Sequence, residues 1–394
     1  MNNREDIVLK ELVERLDLPD SAYEKAEKRY KDLGEWFNRD NSKLSGYNVH
    51  IFPQGSFLLG TAIRPINEED EYDLDLACKL RQGISKSSHT QEELKTLVGE
   101  ELEAYRKARG ILEPLVPKHR CWRLEYHDDI SFHLDIVPAI PLDDFKKSML
   151  FEAMNMRGTG ESVAKGASEK AISITDDRDP NYKKIIDEWN ISNPEGYSIW
   201  FNEQNKTTEN YVLLEKAQVD KVPLYKQKSP LQRCIQILKR HRDIMFGDDE
   251  SKPISIIITT LAARAYNGES DIYVALSNIL EKMAGMINNQ SPRVPNPVNP
   301  EEDFADRWAM PECIHLNLEE NFKIWLQQAR RDYNSITTLK DPVLLTEAIS
   351  KSFSISINSE ELKKKLGLSN SSTPFSKPKD HYISEPAKPW KQKM

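Results

Sequence analysis

The chain has 394 residues, of which 38% are hydrophobic and 30% are charged, and its formal net charge is −8. These values fit one large or two modest globular domains, and the longest apolar run, PISIIITTLAA, has about half the length of a membrane span. We therefore expect a cytoplasmic protein without a membrane partner. A stable partnership with long nucleic acid is disfavoured, because phosphate contacts need a broad basic surface.

Two helices are predicted at the start of the chain. In REDIVLKELVERL, the residues Leu9, Leu12 and Leu16 recur at helical spacing. Ser21 is the predicted N-cap of the second helix, AYEKAEKRYKDLGEWF, whose apolar residues also share one face.

Short extended segments follow, separated by turns or helices. They are NVHIFPQGS, YDLDLACKL, CWRLEYHDDISFHLDIVPAIP and AISIT. The third contains two alternating stretches, CWRLEY and ISFHLDIV, joined by His127, Asp128 and Asp129, and this pattern predicts a β-hairpin.

The chain becomes helical again from Ser229, which is the predicted N-cap of SPLQRCIQILKRHRDIMF with Pro230 in the first helical position. More helices are expected in KPISIIITTLAARAY, in residues 272–286 and, beyond a proline-rich connector, around NFKIWLQQARRDY and LLTEAISKSF. We expect a catalytic core with the opening helices in residues 1–225, a helical lobe in 226–366 and a flexible Pro/Ser/Lys-rich tail in 367–394.

Three aspartates are the candidate catalytic residues. Side chains alternate along a strand, so Asp73 and Asp75 in YDLDL share one face and the neighbouring leucines share the other. Asp135 likewise lies opposite the apolar face of ISFHLDIV. If the two strands are neighbours, three carboxylates converge on one open face, where they would repel each other unless a cation neutralises them. Hard oxygen ligands suit Mg²⁺ or Mn²⁺, and this arrangement is typical of two-ion phosphoryl transfer.

A Gly-Ser turn precedes the first of these strands. In QGSFLLGT, Gly55 allows close approach of backbone to phosphate, and Ser56 offers a hydroxyl to a phosphate oxygen. The ordered series QGSFLLGTAIRP, YDLDL, HLDIVPAIP, SNPEGYSIWF, SPLQRCIQILKRHRDIMF and PISIIITTLAA spans residues 52–266. In this series the chain resembles the bacterial cGAS/DncV-like nucleotidyltransferases (CD-NTases) of CBASS anti-phage defence, in the DNA polymerase beta-like superfamily.

The resemblance implies an α/β (α+β) fold, with a polymerase beta-like core built on a mixed twisted sheet, a C-terminal helical lobe and an active site in the cleft between them. It implies template-independent synthesis of a cyclic di- or trinucleotide from NTPs, with release of pyrophosphate and two Mg²⁺ or Mn²⁺ ions as cofactors. ATP is expected among the substrates. The second base, the linkage and the ring size stay open.

The resemblance also carries roles to particular residues. Asp73 and Asp75 match the family's metal-binding pair, and Asp135 matches the third acid, which activates the attacking hydroxyl. The chain departs from the family pattern in the 16 residues between Ser56 and Asp73, a longer separation than in the compact superfamily motif.

Further matches concern nucleotide binding. Gln54, Gly55 and Ser56 match the triphosphate-gripping turn, whereas Lys239 and Ser255 match two residues that contact the same triphosphate. Relatives often carry a base-stacking aromatic residue directly after that serine, where this chain has Ile256.

Alternative interpretations remain for several of these features. Lys239 belongs to a K-R-H-R cluster that could be a solvated helix face, Ser255 could cap its helix, and Asp176 with Asp177 is a rival third acid. The Lys-rich tail could be attached to a CBASS accessory protein or simply be loose. The enzyme could instead add nucleotides to RNA ends or to a protein side chain, or be an inactive nucleotide sensor.

Overall fold

The computed structural model describes residues 4–67, 71–127, 131–205 and 228–368. The helices in these ranges are α1 (Arg4–Leu16), α2 (Asp20–Phe37), α3 (Gly55–Leu59), α4 (Gln91–Ala108), α5 (Asp144–Met156), α6 (Glu161–Lys170), α7 (Pro194–Asn205), α8 (Pro230–Phe246), α9 (Ser255–Ala265), α10 (Ile272–Lys282), α11 (Leu318–Thr338), α12 (Pro342–Phe353) and α13 (Ser359–Lys365). The strands are β1 (Val49–Pro53), β2 (Tyr72–Leu80), β3 (Val116–Pro117), β4 (Trp122–Tyr126), β5 (Phe132–Pro141), β6 (Ile172–Ile174), β7 (Asn190–Ser192), β8 (Pro295–Asn296) and β9 (Asn299–Asp303).

Strands β1 to β7 form one mixed sheet in the described part of the chain. Its main path is β1-β2-β5-β4-β3, and β6 pairs with the far end of β5 and with β7. The β2–β5 pair is parallel, whereas β1–β2, β4–β5 and β5–β6 are antiparallel. The mixed α/β fold and the β4–β5 hairpin are therefore confirmed, although Asp128 and Asp129 of the hairpin turn lie outside the described residues.

Two large apolar clusters organise the molecule. One joins α2 and α4 to the apolar face of the sheet, where Leu74, Leu76, Leu134 and Ile136 are fully buried. The other joins α1 to the helices from α5 onward, with α8 among its most buried elements. Of the two opening helices, α1 therefore packs with the helical cluster and α2 with the sheet.

The ends of the helices agree with the sequence predictions only in part. The predicted N-cap Ser21 is wrong, because α2 begins at Asp20 after Pro19 and has no side-chain cap. Ser229 does cap α8, in a reciprocal capping box with Gln232 and with Pro230 in the first turn. The proline-rich connector contains a small antiparallel pair, β8–β9, which was not predicted.

The domain limits stay predictions. The limit between residues 225 and 226 and nearly all of the predicted tail, residues 369–394, lie outside the described residues. None of the helices in the described ranges combines the length and the apolar character that crossing a membrane requires.

Candidate active site

The three candidate aspartates lie on one face of the sheet. In the parallel β2–β5 pair, Asp75 is directly opposite Asp135, and Asp73 lies two residues away on the same face of β2. Neighbouring strands are about 4.8 Å apart, so this register brings the backbones of Asp75 and Asp135 side by side. The intervening Leu74 and Leu76 are buried on the opposite face. Apolar alternation thus holds the acids on the face of the sheet opposite the apolar core.

Strand β4 adds a third residue to each of two rows across this face. Arg123 of β4 lies opposite Asp135, and Glu125 lies opposite His133, which in turn lies opposite Asp73. The first row is therefore Asp75–Asp135–Arg123 and the second is Asp73–His133–Glu125.

Both rows contain polar side-chain contacts. Arg123 Nε and Nη2 each donate to one carboxylate oxygen of Asp135, both at 2.7 Å. In the second row, His133 Nδ1 lies 3.3 Å from Asp73 Oδ1, and His133 also contacts Glu71. Sequence reasoning missed Arg123 and His133 as partners of the aspartates, although their positions in the alternating hairpin could have indicated them.

Asp75 is in an unfavourable electrostatic position. Burial, reinforced by the charges of Asp73 and Asp135, raises its pKa to about 7, and the cations Arg123 and Lys239 only partly oppose this. A carboxyl group in such surroundings is stabilised by a proton or by a nearby cation. The donor set of three aspartates fits a hard divalent ion.

The carboxylates are nevertheless not gathered around a single point. Among the described residues, the group whose ligand atoms all lie within 4.8 Å of one another is Glu113, Glu125 and His127, not the three aspartates. Both carboxylate oxygens of Asp135 accept a hydrogen bond from Arg123.

The Gly-Ser turn lies directly against Asp75. Gln54 N donates to Asp75 O at 2.8 Å, and Gln54 Nε2 donates to Leu76 O at 3.3 Å. Gly55 has φ = 61°, and a Cβ at this position would lie 2.3 Å from Asp75 Oδ2. Only glycine therefore fits between the turn and the carboxylate. Ser56 follows in the first turn of α3.

A cleft of about 520 Å³ brings four of the predicted residues together. Ser56, Asp73, Lys239 and Ser255 all line it. Its wall also includes residues 62–67, which belong to the longer segment between the Gly-Ser turn and β2. Gln54, Gly55, Asp75 and Asp135 are not among its lining residues, and they lie beside it through the contacts described above.

Lys239 is a buried residue that lines this cleft. Its Nζ donates to Thr61 O at 3.1 Å and to Thr61 Oγ1 at 3.3 Å. Burial, together with the charge of Arg242, lowers the pKa of Lys239 to about 7, against the attraction of Asp243 and Asp75. The alternative of a solvated helix face is wrong, because all four residues of the K-R-H-R cluster are buried.

Ser255 is held by an arginine from α8. Arg242 Nη1 donates to Ser255 Oγ at 3.0 Å and to Pro253 O at 2.8 Å. Ser255 is the first residue of α9, and the N-cap position belongs to Ile254, so the capping alternative is wrong. Arg242, which also lines the cleft, is a further residue that sequence reasoning missed, although it stands in the same basic cluster as Lys239.

Asp176 and Asp177, the alternative candidates for the third acid, form ion pairs with other residues. Asp176 pairs with Arg120 and Arg178, both at 2.8 Å, and Asp177 pairs with Lys95 at 2.9 Å. Asp135, not Asp176 or Asp177, lies in register beside Asp75.

Comparison with known proteins identifies the family of the chain and several of its relatives. A family model described as "Cyclic GMP-AMP synthase DncV-like, nucleotidyltransferase domain" matches residues 49–138, from β1 to β5. A c-di-GMP synthase of Roseivirga ehrenbergii is 30% identical over 307 residues, which cover 76% of this chain and 72% of the relative. The cyclic dinucleotide synthase CdnG of Bradyrhizobium diazoefficiens is 25% identical over 325 residues, covering 77% and 70% of the two chains.

Solved structures share the fold. The structure of Bradyrhizobium diazoefficiens CdnG in complex with GTP has a TM-score of 0.64 at 22% identity and covers 93% of this chain and 99% of that one. A Vibrio cholerae DncV structure has a TM-score of 0.54 at 13% identity, with coverages of 89% and 95%. The fold and the site define a nucleotidyltransferase. The chain belongs to the DncV-like nucleotidyltransferase (CD-NTase) family.

Proposed function

We propose that this enzyme makes a cyclic dinucleotide from NTPs and releases pyrophosphate, with Asp73, Asp75 and Asp135 as the metal-binding catalytic residues. The observation that carries the proposal is the β2–β5 register, which aligns Asp75 with Asp135 beside the Ser56–Lys239 cleft. Both curated relatives bear the names of cyclic dinucleotide synthases, which supports a two-nucleotide ring over a larger one. The name of the 30% identical relative supports GTP as a substrate in addition to the expected ATP.

The chain's own residues divide the chemistry between them. Ser56 and Lys239 hold the triphosphate of the donor nucleotide, and the positive charge of Lys239 is favoured once phosphate lies beside it. Ser255, held by Arg242, contacts the same triphosphate. Asp135 orients the attacking hydroxyl and accepts its proton, and a second attack of the same kind closes the ring.

Asp73, Asp75 and Asp135 would hold two Mg²⁺ or Mn²⁺ ions, which supply charge stabilisation for the attacking and leaving oxygens. The raised pKa of Asp75 supports this assignment, because a divalent ion would relieve the mutual repulsion that contributes to that shift. Membership of the CD-NTase family supports a role in anti-phage signalling through the released product, with a CBASS accessory protein as the partner to be sought.

Product analysis tests the proposal. The purified protein is incubated with all four NTPs, or with GTP alone, in the presence of Mg²⁺ or Mn²⁺, and phosphatase-resistant products are identified by mass spectrometry. We expect a cyclic dinucleotide. Linear RNA extension or a nucleotide-labelled protein would overturn the proposal in favour of another nucleotidyltransferase reaction.

The double substitution Asp73→Asn with Asp75→Asn should abolish the product, while the Tm stays unchanged or rises because like-charge repulsion is relieved. The matched control, Glu312→Gln with Glu320→Gln, neutralises two exposed acids elsewhere and should leave product formation unchanged. A large loss of Tm in the aspartate variant would instead mark these acids as structural.

A further inference from the structure

The polar face of the sheet continues past the aspartates into a cluster of histidines and glutamates. Glu125 and His133 belong to the second row described above, and His127 directly follows β4. Glu71 precedes β2, and Glu113 lies between α4 and β3. The ligand atoms of Glu113, Glu125 and His127 all lie within 4.8 Å of one another. Segments that are distant in sequence thus bring nitrogen and oxygen donors together.

The ring of His127 is oriented as in a metal-bound histidine. Its Nδ1 lies 2.8 Å from Glu71 Oε1. A nitrogen and a carboxylate oxygen at this distance share a proton, so the neutral ring carries its hydrogen on Nδ1 and its lone pair on Nε2. Nε2 lies 4.0 Å from Glu113 Oε1 and 3.9 Å from Glu125 Oε2, which is too far for hydrogen bonds. Two ligands of one Zn²⁺ ion lie about 3–4 Å apart, because each bond is about 2.0–2.2 Å long. A carboxylate on the other ring nitrogen is the usual partner of such a histidine.

The cluster also has the charge and the access that a cation needs. In the described part of the chain, the ion pairs of Glu71, Glu113 and Glu125 are all with His127 or His133. Two imidazoles cannot balance three carboxylates even when both are protonated, so a net negative charge remains for a divalent ion to offset. Glu113, Glu125 and His127 line a cavity of about 650 Å³, whose lining residues differ from those of the substrate cleft. An ion can therefore reach the cluster without entering that cleft.

We propose that Glu113, Glu125 and His127 bind a divalent transition-metal ion of the Zn²⁺ type, with Glu71 orienting the ring of His127. Imidazole nitrogen favours such an ion over Mg²⁺, which prefers oxygen ligands. The site shares no ligand with the three aspartates, and the inference does not depend on the proposed reaction. A bound ion joins the segment before β3 to the end of β4 and, through Glu71, to the start of β2. It therefore stabilises the folded chain.

Zn²⁺ binding to the full-length protein tests this. The measurement is made in excess Mg²⁺, so that sites built only from carboxylates are occupied, and a chromophoric chelator that competes for Zn²⁺ reports the affinity. We expect the wild type to bind a single Zn²⁺ ion with micromolar affinity or better. Its Tm should also rise with the Zn²⁺ concentration, because the ion binds the folded state.

Substitutions at the ligands and at the orienting residue should have graded effects. His127→Gln and Glu125→Gln should each weaken Zn²⁺ binding about 100-fold or more and abolish the rise in Tm, because each removes a ligand. Glu71→Gln should weaken binding about tenfold, because it changes only the partner of His127. The matched control is His119→Gln, at an exposed histidine that pairs with Asp177, and it should bind Zn²⁺ as the wild type does.

The variant Asp73→Asn with Asp75→Asn separates this site from the aspartates, and it should keep the wild-type affinity for Zn²⁺. Loss of Zn²⁺ binding in that variant, with normal binding in His127→Gln, would place the ion at the aspartates. That result would overturn the inference and leave the proposed function intact. A wild type that binds no Zn²⁺ would overturn the inference too, as would equal effects of His119→Gln and His127→Gln.

Circular dichroism and the Tm without added metal report folding. If His127→Gln does not fold, Glu113→Gln decides the test, because the side chain of Glu113 is 45% exposed and its loss should leave the fold intact. An unchanged Zn²⁺ affinity in Glu113→Gln would then count against the inference, and a loss of about 100-fold would support it.

Discussion

The site has no room for a side chain at Gly55. Its φ of 61° lies in the left-handed region, and its Cα faces the carboxylate of Asp75, where a Cβ would come within 2.3 Å of an oxygen. The side chain of Asp75 therefore has no room to move toward the turn. The sequence indicated the need for glycine here, but not that the close approach would be to an aspartate.

The substitution Gly55→Ala tests this contact. The left-handed φ alone should cost about 1 kcal/mol or more in the free energy of unfolding. Displacement of Asp75 should in addition lower kcat/KM by about 100-fold or more, because misplacement by an ångström is enough for such losses. Steady-state kinetics and urea denaturation measure the two effects.

Gly110→Ala is the matched control. Gly110 has a similar φ of 65°, but nothing lies within 4 Å of a Cβ built on it. It should show the loss of stability without the loss of activity. Similar kcat/KM values for the two variants would contradict the proposed role of the Gly55–Asp75 contact.

At the scale of elements, α8 connects the cleft to the Gly-Ser turn. Gln232 in its first turn accepts from Ser229 N at 2.9 Å, and its Nε2 donates to Leu59 O at the end of α3 at 2.9 Å. One buried side chain thus both caps α8 and anchors the helix that carries Ser56. The capping signal was visible in the sequence, whereas the anchor joins residues 173 positions apart.

Gln232→Ala should therefore affect both stability and substrate binding. Loss of the cap and of a buried hydrogen bond should lower the free energy of unfolding by about 2 kcal/mol, and the loosened α3 should raise the KM for NTP. Chemical denaturation and initial-rate kinetics provide the two readouts.

Ser229→Ala is the comparison variant, since it removes the cap but leaves the donor to Leu59 O in place. It should cost about 1 kcal/mol with little change in KM. If it raised the KM as much as Gln232→Ala does, the anchor to α3 would not be the cause.

Local sequence patterns predicted the elements better than their ends and partners. Alternation in YDLDL and ISFHLDIV placed Asp73, Asp75 and Asp135 on a polar face, because burial of the intervening residues is a period-two property of a strand. The Ser21 cap failed because several residues near the start of α2 are compatible with a helix start. The alternating hairpin could have indicated a polar face shared by Arg123 and Asp135, but their pairing was missed because alternation alone does not give the β4–β5 register.

At the scale of the whole molecule, Asp17 connects the start of the chain to α8. It lies just after α1 and accepts from Lys228 at 2.7 Å and from Gln236 at 2.9 Å, and it also pairs with Arg233. Burial alone would raise the pKa of Asp17, but these hydrogen bonds and positive charges hold it below its usual value. Helical sequence patterns from Ser229 onward predicted a helical lobe, but no local pattern connected residue 17 with residues 228–236.

Asp17→Asn should destabilise the protein by about 3 kcal/mol at pH 7, because it leaves the buried Lys228 ammonium without its anion. For an acid with a lowered folded-state pKa, the stabilisation is present above the unfolded-state pKa and is lost as the pH falls through the folded-state value. The difference in stability between variant and wild type should therefore shrink below about pH 4.

Denaturation curves at pH 7 and below pH 4 measure this difference. Asp20→Asn, at an exposed aspartate three residues further on, is the control and should stay within about 0.5 kcal/mol of the wild type at pH 7. A pH-independent deficit in Asp17→Asn would assign the effect to packing and not to the ion pairs.

The parallel register of β2 and β5 disfavours misaligned, inactive forms of the enzyme. A slip of one residue would turn Leu74 and Leu76 toward the cleft and drive Asp73 and Asp75 into the apolar interior. A misaligned sheet would therefore bury two carboxylates and expose two leucines, which makes it less stable than the native register. The leucines that stabilise the sheet therefore also determine where its aspartates lie.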